Sequence, residues 1–164
     1  MGQKRRSSKG RGFWIVLVCF LCTTARFPKA AAQATSSLLL PTALAYDSAG
    51  NLYIADSGRQ QVLEATLAGT LVVVAGSGVQ GFAGDGGAAS AAQLNGPQGV
   101  AVDSQGTVYI ADTGNGRVRV VTAGVITTLA GNGQQAFGGD GGTPAGAGFR
   151  QPTALALDLS LIHI

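Results

Sequence analysis

The acidic residues with the most suggestive neighbours are Asp85 and Asp140, each within the sequence Gly-Asp-Gly-Gly. Carboxylates and loop carbonyls are the ligands that Ca²⁺ prefers, so both residues are candidate calcium ligands. Calcium needs about six to eight oxygens, and each loop supplies a single carboxylate. The sequence therefore favours a structural interpretation, in which each aspartate caps a tight turn and its neighbouring glycines take positive φ.

A second pair of acids, Asp56 and Asp112, precedes the turn glycines Gly58 and Gly114. One hypothesis makes the two aspartates turn caps, with a salt bridge from Asp112 to Arg117. The other places them on the lining of a central channel. Residues that recur in repeat proteins usually hold the repeats together, so the first hypothesis is preferred.

Sequence signals for enzymatic or cofactor chemistry are weak. The segment from Gly76 to Gly81 fits G-x-G-x-x-G, but no helix start follows it, and Ala136 replaces the third glycine in a second copy. A nucleotide site needs that helix. The single histidine, His163, lies near the end of the chain. We therefore expect no cofactor and assign no catalytic residue, and the question of an enzyme stays open, leaning towards none.

These residues recur because the chain repeats itself. The segment Pro41–Gly58 returns as Pro97–Gly114, and a third copy starts at Pro152, with offsets of 56 and 55 residues. The segment Ala75–Gly87 likewise returns as Ala130–Gly142. A period of this length indicates stacked supersecondary units.

Each repeat reads as four short strands separated by turns. The strands are predicted at Ala43–Tyr46, Leu52–Ala55, Gln61–Ala65 and Leu71–Ala75, and again at Gly99–Val102, Thr107–Ala111, Arg117–Val121 and Val125–Ala130. The turn after the first strand is marked in successive copies by Asp47, Asp103 and Asp158. Because aspartate bonds its own downstream backbone, these residues are predicted turn residues.

Four antiparallel strands without an intervening helix are typical of a β-propeller blade. The fold class is therefore all-β, with two complete blades and the first strand of a third. Such a set is an incomplete ring, since closure takes about four to eight blades.

A long glycine-rich loop follows the fourth strand of each repeat, at residues 76–96 and 131–151. Loops of this length usually pack on themselves or carry a function. Phe82 and Phe137 are expected to pin their loops onto the blades. Thr143 before Pro144 predicts a capped helix start, with one or two helical turns over Ala145–Phe149.

The pattern P-x-G-V-A-V-D-x-x-G-x-x-Y-I-A-D-T-x-N-x-R-V, from Pro97 to Val118, resembles an NHL repeat. The A-G-x-G-x-x-x-F-x-G-D-G-G segment is similar to a long-repeat bacterial subgroup of that family. The resemblance implies a propeller of about six blades that binds ligands, proteins or RNA. It also admits a few lyases, which depend on histidines. In the first copy, Arg59-Gln60-Gln61 departs from the pattern.

The N-terminus has the order of a secretory signal. Basic residues precede the apolar run Phe13–Cys22, and small residues follow, with cleavage expected after Ala32 or Ala34. Cys19 and Cys22 lie inside the apolar run and are expected to behave as small hydrophobes. The predicted organisation is a signal peptide at 1–34, a linker at 35–40, blades at 41–96 and 97–151, and the start of a third blade at 152–158. Residues 159–164 break the period and are interpreted as a non-native tail of a truncated chain.

The charge balance constrains the partners. Beyond residue 35 the chain holds four arginines against eight acids, so this part is mildly acidic and has no basic patch for nucleic acid. The predicted protein is an exported, non-catalytic binding or scaffold module for a protein, peptide or glycan. It would be secreted, periplasmic or at the cell surface, and would contact a membrane only through an uncleaved N-terminal segment. The alternative is a fragment of a propeller lyase or hydrolase.

Overall fold

The computed structural model describes residues 38–158, which form two four-stranded antiparallel sheets. The predicted signal peptide with its cysteines, His163 and the tail at 159–164 lie outside the described residues. The strands are β1 (Pro41–Tyr46), β2 (Leu52–Asp56), β3 (Gln61–Ala65) and β4 (Leu71–Ala75) in sheet one, and β5 (Pro97–Val102), β6 (Val108–Asp112), β7 (Arg117–Thr122) and β8 (Val125–Ala130) in sheet two.

Each sheet is a meander in which every strand pairs with the next one along the chain. The β-branched and aromatic residues of the predicted segments form these strands, and the observed bounds differ from the predicted ones by a few residues at most. The register shifts in the first pair of strands at Pro41/Ala43 and, in the second sheet, at Pro97/Gly99. The two sheets are therefore copies in detail. Among residues 38–158 they do not close a ring.

The main core lies between the two sheets. One face of sheet one, with Ala55 and Val62, is buried in the same cluster as Val100 and Ile110 of sheet two. The opposite face of sheet one carries a smaller cluster that includes Ile54 and Leu63. Burying a valine or isoleucine side chain contributes about 1.5–3 kcal/mol, so face-to-face packing is a main source of stability.

Two local predictions are wrong. Residues 152–158 form no strand, although Thr153 lies against β5, with its carbonyl oxygen 2.9 Å from the position of a Cβ on Gly99. A strand needs a ladder partner, and the described part of the chain supplies none for this segment. The expected helix is a single 3-10 turn at Pro144–Gly146 without a side-chain cap, because Ala147 already returns to extended backbone. No helix among residues 38–158 is long and apolar enough to cross a bilayer.

Candidate functional site

Asp56 and Asp112 fasten the chain where it enters each sheet. Asp56 accepts the backbone N–H groups of Leu39 and Leu40, both at 2.8 Å. Asp112 accepts the N–H of Asn95 at 2.7 Å. Both side chains are 0% exposed, so neither lines an open channel. The aspartates at the ends of β2 and β6 therefore hold the preceding segment against the sheet.

The glycines that follow permit this close approach. A Cβ on Gly58 would lie 2.9 Å from Leu39 Cγ, and a Cβ on Gly114 would meet the side chain of Asn95. The Gly114 N–H also donates to the Asn95 carbonyl at 2.8 Å. Glycine is required at these positions because the entering segment lies directly against the turn, and not because of positive φ.

A buried arginine joins the two repeats. Arg119 of β7 is 0% exposed, and its Nη1 lies 3.3 Å from Asp112 Oδ2. Its Nη2 lies 2.6 Å from Asp85 Oδ1, and the Thr128 hydroxyl donates to Asp85 Oδ2 at 2.6 Å. The prediction that Asp112 forms a salt bridge with Arg117 is wrong, because Arg119 takes that place. Arg117 extends to the loops, where its Nη2 donates to the Asn132 carbonyl at 2.9 Å.

The electrostatics of this cluster reflect its burial. Desolvation raises the pKa of Asp112, against the lowering effects of bonds from Asn115 and Asn95 and of the charge on Arg119. Arg119 Nε is buried without a hydrogen-bond partner in the described part of the protein. A charged pair at this depth is costly to separate, so the cluster acts as a joint between the repeats.

Asp85 belongs to loop one (residues 76–96) and contacts sheet two. Its two carboxylate oxygens bind Arg119 and Thr128, so the predicted role as cap of its own turn is wrong, although Gly84 and Gly86 do take positive φ. As a weak calcium candidate, Asp85 has both oxygens engaged in these bonds. Among residues 38–158 no group of three or more His, Cys, Asp or Glu side chains could hold a metal.

The two phenylalanines of the loops differ. The centroid of the Phe82 ring lies 3.9 Å from Arg117 Cζ and 4.9 Å from Arg119 Cζ. The ring therefore stacks beneath both guanidinium groups and attaches loop one to sheet two. Phe137 of loop two (residues 131–151) is 83% exposed. The prediction that Phe137 pins its loop is therefore wrong, because the described chain has no further sheet beside loop two. Asp140, the second calcium candidate, is exposed in the same loop.

The aspartates after the first strands form the predicted turns. Asp47 Oδ1 accepts the N–H groups of Ala49 and Asn51, and Asp103 Oδ1 accepts those of Gln105 and Thr107. For Asp103, slight burial raises the pKa, but the backbone hydrogen bonds outweigh it and leave that pKa lowered. Asp158 is the matching residue of the third copy and the last residue described.

Sequence reasoning missed a surface rich in side-chain amides. It lies at the end of the sheets that carries the β2–β3 and β6–β7 turns and both long loops. We call it the amide rim, and it consists of Gln60, Gln80, Asn95, Asn115, Asn132, Gln134 and Gln135. The signal in the sequence is the recurrence of Asn and Gln in the turn after the second strand and in the long loop of both repeats.

Hydrogen bonds between neighbouring segments hold the amide rim in place. Gln80 Nε2 donates to Asn95 Oδ1 at 2.8 Å. Asn115 Nδ2 donates to the Gly81 carbonyl at 2.8 Å, and Gln135 Nε2 donates to the Gly114 carbonyl at 3.0 Å. Turn and loops therefore form one connected surface that spans both repeats.

Four-stranded meanders packed face to face in sequence order define blades of the β-propeller class. The model of the teneurin NHL domain matches residues 65–140. NHL repeat-containing protein 2 of Gallus gallus is 33% identical over 127 residues, which cover 76% of this chain and 17% of that protein. The chain is an NHL repeat protein.

Two solved structures share the fold. A structural genomics protein from Bacteroides thetaiotaomicron superposes with a TM-score of 0.54 at 30% identity, covering 64% of this chain and 26% of that one. An auxiliary nutrient binding protein from Bacteroides ovatus has a TM-score of 0.50 at 25% identity, covering 66% and 30%. The chain spans 3 to 17% of the length of the curated relatives it matches.

Proposed function

We propose that this chain is a binding module that contacts a protein, peptide or glycan through the amide rim. The observation that carries the proposal is the rim itself, a connected surface on which Gln80, Asn132, Gln134 and Gln135 are exposed. The solved relative from Bacteroides ovatus, whose name describes nutrient binding, supports a binding role. Asp85, Asp112 and Arg119 are engaged with one another in joining the sheets, whereas the rim itself consists of neutral amides.

The chemistry of the rim favours ligands with many neutral donors and acceptors. A side-chain amide offers two N–H donors and a carbonyl acceptor, which match the hydroxyls of a sugar or the amide groups of a peptide backbone. Because Gln80 and Gln135 are already oriented by bonds at 2.8 and 3.0 Å, binding loses less side-chain entropy. Immobilising a side chain of this kind costs about 0.5–1.5 kcal/mol, which a preformed surface saves in part.

Export is part of the proposal. Its support is the basic start, the apolar run Phe13–Cys22 and the small residues near Ala32 and Ala34. The full chain expressed in a secreting host should yield a product that begins at Gln33 or Thr35 on N-terminal sequencing. A product that keeps Met1 and stays in the membrane fraction would contradict cleavage.

The binding proposal is tested by screening the secreted product against arrays of oligosaccharides and of peptides. Gln134→Ala should weaken a hit at least about tenfold, the equivalent of about 1.4 kcal/mol. The matched control is Gln105→Ala, a glutamine exposed in the turn at the opposite end of sheet two. Equal losses from the two substitutions would place the ligand elsewhere, and an array without any hit would count against a glycan or peptide ligand.

A further inference from the structure

Loop two has the same backbone fold as loop one, although no sheet lies against it among the described residues. In loop one, the N–H of Gly76 donates to Ala89 O at 3.0 Å. Its counterpart in loop two, the N–H of Gly131, donates to Pro144 O at the same distance. The short antiparallel bridge between Ala83 and Gln93 returns between residues 138 and 148. Loop two is therefore preformed.

Loop one shows what this fold binds at its tip. The Gly86 N–H donates to Ile126 O at 2.8 Å, and the Ile126 N–H donates to Gly87 O at 3.1 Å. These bonds add the loop to the outer edge of β8. Beside them, Asp85 accepts from Arg119 and Thr128, both at 2.6 Å. The tip thus recognises a β-hairpin with arginine on one strand and threonine opposite it on the other.

The ring of Phe82 completes this recognition. It lies beneath the guanidinium groups of Arg117 and Arg119, which are two residues apart on β7 and face the same side. A cation over an aromatic ring adds about 0.5–1 kcal/mol at an exposed site. Loop one therefore holds its hairpin by a carboxylate, an aromatic ring and a short stretch of backbone.

Loop two presents the same groups at the same spacing. Phe137 and Asp140 stand where loop one has Phe82 and Asp85, and Gly141 and Gly142 supply the edge backbone. All four are exposed. One contact differs, because Pro144 replaces Ala89, whose N–H donates to Gly124 O at 2.8 Å in loop one. Loop two therefore keeps the carboxylate, the ring and the backbone groups for two of the three edge bonds.

We propose that residues 137–142 form a binding site for the arginine of a β-hairpin of the β7–β8 type. Asp140 accepts hydrogen bonds from the guanidinium of that arginine and from a threonine hydroxyl, while the Phe137 ring stacks on the guanidinium. The occupant is a further repeat that carries arginine and threonine at the positions of Arg119 and Thr128. The assignment is independent of the ligand proposed for the amide rim.

The first repeat of a second copy does not fit this site. In β3, Leu63 occupies the position of Arg119, and its register partner in β4, Val73, occupies that of Thr128. Docking sheet one onto loop two would bury the Asp140 carboxylate against two apolar side chains. An unsatisfied buried acceptor costs about 1–3 kcal/mol, and more when charged. The chemistry therefore selects an arginine-bearing hairpin and disfavours self-association.

The test extends the chain by one repeat of the fitting type. Residues 152–164 are replaced by a second copy of 97–130, and urea unfolding is followed by circular dichroism. In the natural chain, Asp140→Asn should leave the folding equilibrium constant unchanged. In the extended chain it should lower that constant about five- to tenfold, matching Asp85→Asn in the natural chain, since Asp140 would then lie beside a charged group as Asp85 does.

A matched variant shows whether arginine is the partner. The arginine of the added copy that corresponds to Arg119 is replaced by leucine, after which Asp140→Asn should have no further effect. The proposal would be overturned if Asp140→Asn lowered the stability of the extended chain equally with and without that arginine. It would also be overturned if Asp140→Asn had no effect in the extended chain while Asp85→Asn had a clear one. If analytical ultracentrifugation showed that the natural chain forms a dimer and that Asp140→Asn abolishes it, the choice of occupant would be overturned.

Discussion

Replacing Arg119 by leucine tests the idea that a buried cation joins the two repeats. Leucine is the residue that sheet one carries at this position, as Leu63, so the change asks whether the repeats are interchangeable. Arg119 is fully buried and contacts Asp112, which is also 0% exposed. Removing one member of a buried pair leaves an uncompensated charge, at a cost of about 3–5 kcal/mol.

The two aspartates explain why sheet one manages without this arginine. Asp56 accepts three backbone N–H groups, from Leu39, Leu40 and Arg59, and the part-exposed Arg59 Nε lies 3.7 Å from Asp56 Oδ2 as a local countercharge. Asp112 accepts one backbone N–H, from Asn95, and relies on Asn115 and Arg119 for the rest. A carboxylate held by several backbone bonds tolerates burial, whereas Asp112 loses its countercharge in the variant.

The assay is urea unfolding of wild type, Arg119→Leu and Arg119→Leu/Asp112→Asn, followed by circular dichroism. The double variant should be more stable than the single one, because it carries no buried charge. The loss in Arg119→Leu should also shrink between pH 7 and pH 4. Burial raises the folded pKa of Asp112 above its ordinary value of 3.8, and the Arg119 charge opposes that rise. Without Arg119 the pKa rises further, so the folded variant takes up a proton more readily than wild type as the pH falls and regains stability. A loss below about 1 kcal/mol, or no difference between the variants, would refute the reasoning.

Three further predictions use the same measurement. The pKa of Asp103 is lowered from 3.8, so the ionised carboxylate stabilises the fold above that pH, and this stability is lost as the pH falls through the lowered pKa. Asp103→Asn should remove this part of the acid sensitivity, and an unchanged pH profile of the unfolding free energy would contradict the prediction. Gly131→Ala should destabilise the fold by several kcal/mol more than Gly124→Ala. Both glycines have positive φ, at 98° and 79°, but only a Cβ on Gly131 would meet the Gly116 carbonyl oxygen. Equal losses of stability would disprove the clash. Thr128→Val should lower the free energy of unfolding by about 1 kcal/mol, because it removes the hydroxyl that donates to Asp85, and it should have no effect in an Asp85→Ala background. The same loss in both backgrounds would rule out that hydrogen bond as the cause.

Local signals explain the success at the strands and at the first turns. β2 and β6 are β-branched and aromatic segments bounded by aspartate and glycine, and a repeat makes each prediction twice. At Pro144–Gly146 the sequence predicts a longer helix than the single 3-10 turn observed, because a threonine before proline signals a helix start and says nothing of its length.

The partners of the charged residues were decided by distance in space. The sequence suggests Arg117, the register partner of Asp112 across β6 and β7, as its ion-pair partner, yet the Asp112 carboxylate lies against Arg119. The sequence predicts that Asp85 caps its own turn, yet its carboxylate binds Arg119 on a strand of the next repeat. Side-chain direction and loop packing determine such pairs, and neither is encoded in a short window of sequence.

By itself, the sequence determined the repeat, the four strands of each unit, the class of blade and the family, because periodicity and turn chemistry are local properties that recur in register. Only the tertiary structure decided what the recurring residues do. It showed Asp85 and Phe82 holding the arginines of the next repeat, left Phe137 exposed, and gathered the amides at one end of the sheets. Those roles arise where residues far apart in the chain meet, so they depend on how the sheets stack.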